Sequence, residues 1–155
     1  MTTMADIAQV FDLRTPYLKA GRTTENRSRT DNLTVTIKVY AEGGENAMHN
    51  HSLQDHAFVV LEGEATFHLE TDENVLVVGP YEGIMLPKGA NYWFQSAGQG
   101  NLVLLRVAAR VGERGHGGRL TPDGRPMPAD SEENKRGVRV ELPGKGFGSP
   151  GGLVA

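Results

Sequence analysis

Histidines at positions 49, 51 and 56 place three of the chain's five imidazoles within eight residues. In His49-Asn50-His51 the two rings are spaced so that, on a strand, both project from one face. Imidazole is the commonest protein ligand for divalent transition metals, so the cluster reads as the floor of a metal site. The chain contains no cysteine. Thiolate ligation and disulfides are therefore excluded, and any ion must be held by nitrogen and oxygen.

Such a cluster needs strands to fix it, and the surrounding sequence predicts them. Leu33, Val35, Ile37 and Val39 alternate with Thr34, Thr36, Lys38 and Tyr40, the pattern of a strand with one buried face. Further short strands are predicted over residues 57–61, 64–70, 75–78, 84–86, 92–96 and 102–108. Gly43-Gly44, Glu62-Gly63, Thr71-Asp72-Glu73-Asn74, Gly79-Pro80, Pro87-Lys88-Gly89 and Ala97-Gly98-Gln99-Gly100 supply turn chemistry between them. Many short strands with frequent punctuation predict an all-β sandwich or barrel over residues 31–111. Residues 1–30 read as an N-terminal arm in which Ile7, Val10, Phe11, Leu13, Tyr17 and Leu18 form a short helix or an extra strand. Residues 112–155, rich in Gly, Pro and charge, read as an extension packed on or trailing from the barrel, with Val138-Arg139-Val140 as an edge strand.

At 155 residues the chain is one domain, long enough to bury a core without staples. A net charge of −3 gives no basis for a nucleic-acid or membrane-surface partner. No apolar run approaches the roughly 20 residues that span a bilayer. Met1 to Arg14 lacks the basic and apolar pattern of a secretory signal. A cytoplasmic protein that handles a small organic molecule is expected.

The run Gly43, His49, His51, His56, Gly63 resembles the first motif of the cupin superfamily, in which Gly is followed by two histidines one residue apart, a Glu and a second Gly. The stretch from Tyr81 to Ser96 resembles the second motif, with Pro87-Lys88-Gly89 as its Pro-x-Gly centre. The resemblance covers roughly residues 33–108 and implies a double-stranded β-helix, the jelly-roll barrel of that family. The family's Glu position falls on His56 if four residues separate it from His51, and on Asp55 if three do. The distance forward to Gly63 favours His56, and a slip of one residue would turn the side chain to the other face. The second-motif His falls on Tyr92, the Gly-Asp opening on Tyr81-Glu82, and the trailing Asn on Ser96.

The resemblance thus implies a ligand set of His49, His51, His56 and Tyr92 around one divalent ion, whether Fe, Ni, Zn, Mn or Cu. Three neutral imidazoles would leave the ion its full charge, suited to an anionic chelator such as an enolate, carboxylate or phenolate. Tyr92 would ligate, donate a hydrogen bond to substrate, or simply pack. With no carboxylate ligand, the remaining general bases are a metal hydroxide, Glu82, Asp55 or the Tyr92 phenol. Met48, Phe58, Met85, Phe94 and Ser96 are expected to line an apolar pocket, or only to fill the barrel. His68, alternating with Thr66 and Glu70, reads as an exposed strand residue, and His116, among glycines, has no expected site role.

The leading expectation is a three-histidine oxygenase acting on an enol, phenol or dicarbonyl-like substrate. A redox-neutral isomerase or lyase is the second, and a non-catalytic small-molecule binder the third. Unpaired sheet edges need covering, so a homodimer is expected, with the N-terminal segment as the exchanged piece.

Overall fold

A chain punctuated every few residues by Gly, Pro, Asn and Asp cannot sustain long helices, and this one forms strands. The computed structural model describes residues 7–41, 46–112, 118–128 and 138–148, in which every regular element is a β-strand. In chain order these are β1 (Thr15–Ala20), β2 (Arg22–Arg29), β3 (Leu33–Tyr40), β4 (Asn50–His51), β5 (Gln54–Glu62) and β6 (Ala65–Leu69). They are followed by β7 (Val75–Val78), β8 (Gly83–Leu86), β9 (Tyr92–Ser96), β10 (Leu102–Arg110), β11 (Arg119–Leu120) and β12 (Val140–Phe147).

One antiparallel sheet has the order β2-β3-β10-β5-β8, and β7-β6-β9 forms the facing layer. An antiparallel bridge between His49 and Tyr92 leads from β9 into β4, which pairs with β11. This is the all-β sandwich that the strand pattern predicts, in the jelly-roll form that the resemblance implies. Tyr40, Phe58, Val60, Phe67, Tyr92, Phe94, Leu102 and Leu104 are among the buried residues of the inner core. Phe58, Phe67 and Phe94 pack with ring centroids 5.0 to 5.7 Å apart, within the range where edge-on and offset aromatic contacts are favourable.

A second core lies outside the five-stranded sheet. There Leu18, Ile37, Val39, Ala41 and Val103 pack with Leu13, Tyr17, Leu61 and Phe147. The cover is a ribbon made by β1 and β12, joined antiparallel within the same chain. The single buried face expected of β3 is therefore corrected: from Thr36 to Tyr40 both faces are buried. The apolar face lies under the ribbon, and Thr36, Lys38 and Tyr40 share the opposite face.

Both flanks contribute strands among their described residues. The segment expected to be an arm contributes β2 to the main sheet, so the barrel begins before residue 31. No helix forms among its described residues. The segment after residue 111 supplies β11 and β12, the latter starting within the expected edge strand. The predicted Gly43-Gly44 turn, His116 and the glycines from 149 on lie outside the described residues.

Gly63, between β5 and β6, has φ of 82°, and a Cβ there would sit 2.6 Å from the Asn101 carbonyl oxygen. Gly63→Ala is expected to destabilise the fold by at least about 1–2 kcal/mol from the left-handed backbone alone, with the overlap adding to it. The check is a lower urea midpoint, and a midpoint equal to that of the native chain would show that this turn is not held as described.

Candidate functional site

Backbone pairing fixes the first two histidines. His49 exchanges both of its backbone hydrogen bonds with Tyr92, at 3.0 and 2.9 Å. His51 pairs with Arg119 across β4 and β11. Between them Asn50 points the other way, its amide donating to Asn91 Oδ1 at 2.9 Å. On β5 the buried positions are His56, Phe58 and Val60, so the period of two turns His56 inward. Asp55 faces away, accepting a hydrogen bond from the Lys88 backbone N–H at 2.8 Å. Of Asp55 and His56, the register brings His56 beside the other imidazoles. Ring centroids lie 5.0 Å apart for His49 and His51, and 4.1 Å apart for His51 and His56. Tyr92 joins them, 4.5 Å from the His49 ring.

The rings are held neutral. Burial, reinforced by the nearby Arg119 guanidinium, depresses His49 from 6.5 to about 2 and His51 to about 3. Burial and then the neighbouring His51 take His56 down to about 2. Burial also pushes the Tyr92 phenol well above its ordinary value, so it is a neutral donor.

Hydrogen bonding decides which nitrogens remain available. His49 Nδ1 lies 2.6 Å from the Ala47 carbonyl oxygen and donates to it, which leaves the lone pair on Nε2. His51 Nε2 is buried with no hydrogen-bond partner. His56 is more engaged: Nε2 lies 2.9 Å from Gln54 Oε1, and Nδ1 lies 3.4 Å from the Tyr92 hydroxyl. Accordingly, among the described residues no group of three or more His, Cys, Asp or Glu side chains is arranged to hold a metal ion. The donor chemistry nonetheless fits a divalent transition ion. Two neutral imidazoles offer nitrogens, one of them otherwise orphaned, and a third sits beside them.

The cavity onto which His49 and His51 open has a volume of about 390 Å3 and a lining unlike the one expected. Arg22, Lys38, Arg106 and Arg119 line it together with Thr24, Asn26, Tyr40, Asn46, His49, His51, Gln54 and Tyr92. No Asp or Glu is among these described residues. The apolar lining is therefore corrected. Phe58 and Phe94 belong to the core behind the site, Met85 is 66% exposed, and Met48 and Ser96 are half-buried but do not line the cavity. Glu82 is exposed and accepts a hydrogen bond from the Gly79 N–H at 2.8 Å, so it holds the turn before β8 and not the cavity.

His68 is also corrected. It is buried, stacked 3.8 Å from the Trp93 ring at 3°, with Nδ1 2.8 Å from the Asp72 carbonyl oxygen. The facing strand β9 supplies Trp93 opposite it, which polarity alternation within β6 does not reveal.

Residues 36–108 match the family model described as Cupin domain. No curated protein matches the chain. Among solved structures, a double-stranded β-helix protein from Klebsiella pneumoniae is 17% identical with a TM-score of 0.59, over 70% of this chain and 89% of that one. The Cnp3 cupin domain of Schizosaccharomyces pombe is 12% identical with a TM-score of 0.54, over 59% of this chain and 73% of that one. KdgF from a Halomonas species is 19% identical with a TM-score of 0.51, over 58% and 80%. At such identities the likeness is one of fold.

Proposed function

The chain belongs to the cupin superfamily by way of this barrel, and from that membership and the site's geometry we propose a metal-dependent enzyme acting on a small anionic organic molecule. The observation that carries the reading is three neutral imidazoles, two buried and one half-buried, beside a cavity whose described lining holds four basic side chains and no carboxylate. His49 and His51 would hold the ion, with His56 as the third imidazole. A bound divalent ion would polarise an oxygen donor of the substrate and lower its pKa.

The protein's own groups divide the remaining work. The cationic lining attracts and orients an anion. Tyr92 offers a neutral hydroxyl beside His56. Because the described lining supplies no carboxylate base, the substrate must be acidic in its own right once bound. That requirement suits an enol, a phenol or a dicarbonyl, and it favours oxygenase chemistry. One observation favours the redox-neutral isomerase or lyase instead: burial and neighbouring guanidiniums push Lys38 well below the usual lysine range, which makes an amine base available.

The test is metal content of the purified protein, followed by thermal unfolding with added Fe(II), Ni(II), Zn(II), Mn(II) or Cu(II). A midpoint that rises with ion concentration is expected, since a ligand of the native state must stabilise it. Absence of both metal and shift would leave a non-catalytic binder. Oxygen uptake by the Fe(II)-loaded protein with a panel of dicarbonyls and enols then separates the two chemistries, because a lyase or isomerase turns over equally well without air.

A further inference from the structure

Within the basic lining of the same cavity, two residues are set apart by their register. We infer that Lys38 and Arg106 form a metal-independent subsite for an oxyanion. Where the metal-centre reading also holds, the pocket's substrate carries two acidic groups, one at the imidazoles and one at these cations.

The sheet register sets the geometry. Lys38 lies opposite Thr24 on β2 and Leu104 on β10, and Arg106 lies opposite Thr36 on β3 and Phe58 on β5. The two cations are thus diagonal neighbours on the inward face of adjacent antiparallel strands. At that offset long side chains reach one another, or one shared partner. The row beyond Arg106 pairs Ala108 with His56, so the subsite adjoins the imidazole cluster.

Among the described residues neither basic side chain has a counter-charge. Lys38 is 7% exposed, and its Nζ lies 5.6 Å from the centroid of the Tyr40 ring. Arg106 donates from Nη2 to Thr36 Oγ1 at 3.3 Å, while its Nε is buried with no partner. The ion pairs among the described residues join exposed or half-buried surface groups and include neither residue.

Burying like charges side by side is costly unless something compensates them. A carboxylate or similar oxyanion would take the unused Arg106 donor and give Lys38 a counter-charge. It would also restore the ammonium form that burial and the guanidinium of Arg106 disfavour. Tyr40 and Tyr92 are neutral, buried phenols, so they line the space without competing for the cations as anions.

The experiment uses acetate and malonate as probes, titrated calorimetrically into the full chain after removal of metal by chelation and dialysis, and again with Zn(II) present. Without metal both probes bind, and Lys38→Met and Arg106→Gln each weaken binding by about tenfold or more, as expected for loss of a charge-assisted contact. With Zn(II), malonate gains over acetate, and His51→Ala removes that gain. Metal-free malonate binding unchanged in both Lys38→Met and Arg106→Gln, with each variant shown folded by circular dichroism, overturns the subsite. If metal-free binding depends on the two cations but Zn(II) adds nothing, the subsite stands and the metal-centre reading fails.

Discussion

Replacing His51 by Ala lowers divalent-ion affinity by roughly 100-fold or more while the barrel stays folded. Loss of a residue that merely supports a ligand already weakens binding by about 10- to 100-fold, and His51 offers a nitrogen directly. Its ring is half-buried, and its Nε2 has no hydrogen-bond partner to lose. Truncation at this position therefore breaks little else. His49 is a poorer choice for the test, because its ring anchors the Ala47 carbonyl and is almost wholly enclosed. Asp55→Asn serves as the control. Its carboxylate faces the Lys88 backbone and not the cavity, so the affinity should match that of the native chain. Zn(II) competition with a chromophoric chelator measures both. Native-like affinity in His51→Ala, or a large loss in Asp55→Asn, would place the ion elsewhere or nowhere.

Acidification of the metal-free protein from about pH 7.5 to about pH 5.5 lowers its folding stability by about 3–4 kcal/mol. His49, His51 and His56 have folded-state values near 2, 3 and 2, against 6.5 when free. Below pH 6.5 the unfolded chain takes up protons on these rings and the folded chain does not. Stability is therefore fully present above about 6.5 and falls as the pH drops toward the folded values. Each fully buried imidazole contributes roughly 1.4 kcal/mol per pH unit once well below its free value, and the lesser burial of His51 reduces the total. Against a total stability of about 5–15 kcal/mol for an ordinary domain, that loss is severe. Urea unfolding in chelator across this range measures it, and His51→Ala should flatten the dependence by up to a third. A stability that does not change over the range would mean that the three rings titrate freely in the folded state.

Much of the barrel is legible in the sequence, and the reasons differ from strand to strand. β3 announces itself by alternation, and β5 through β10 by short runs rich in apolar residues between turn residues. The inward position of His56 follows from counting back from Gly63. β2 gives no such signal. It reads Arg-Thr-Thr-Glu-Asn-Arg-Ser-Arg and is held by backbone pairing to β3, while Arg22, Thr24 and Asn26 line the cavity. β4 is only two residues long, too short to show a period.

The cationic lining was hidden for a deeper reason. Alternation tells which residues share a face but not which face is enclosed. Ordinarily the polar one meets water. In β3 the apolar face is roofed by the β1–β12 ribbon, so Lys38 and its neighbours turn toward the cavity instead. The partner that closes that roof starts at residue 140, and nothing local to β3 reveals it.

The pairing of Arg119 and Leu120 with His51 and Asn50 has a consequence for how the protein is made. A nascent chain that has emerged only as far as β10 carries every imidazole of the cluster, yet the strand bearing His51 has one edge still bare. Its finishing partner arrives from the ribosome well after the histidines do. Whatever depends on the final position of His51 is thereby deferred until Arg119 and Leu120 have been translated and seated.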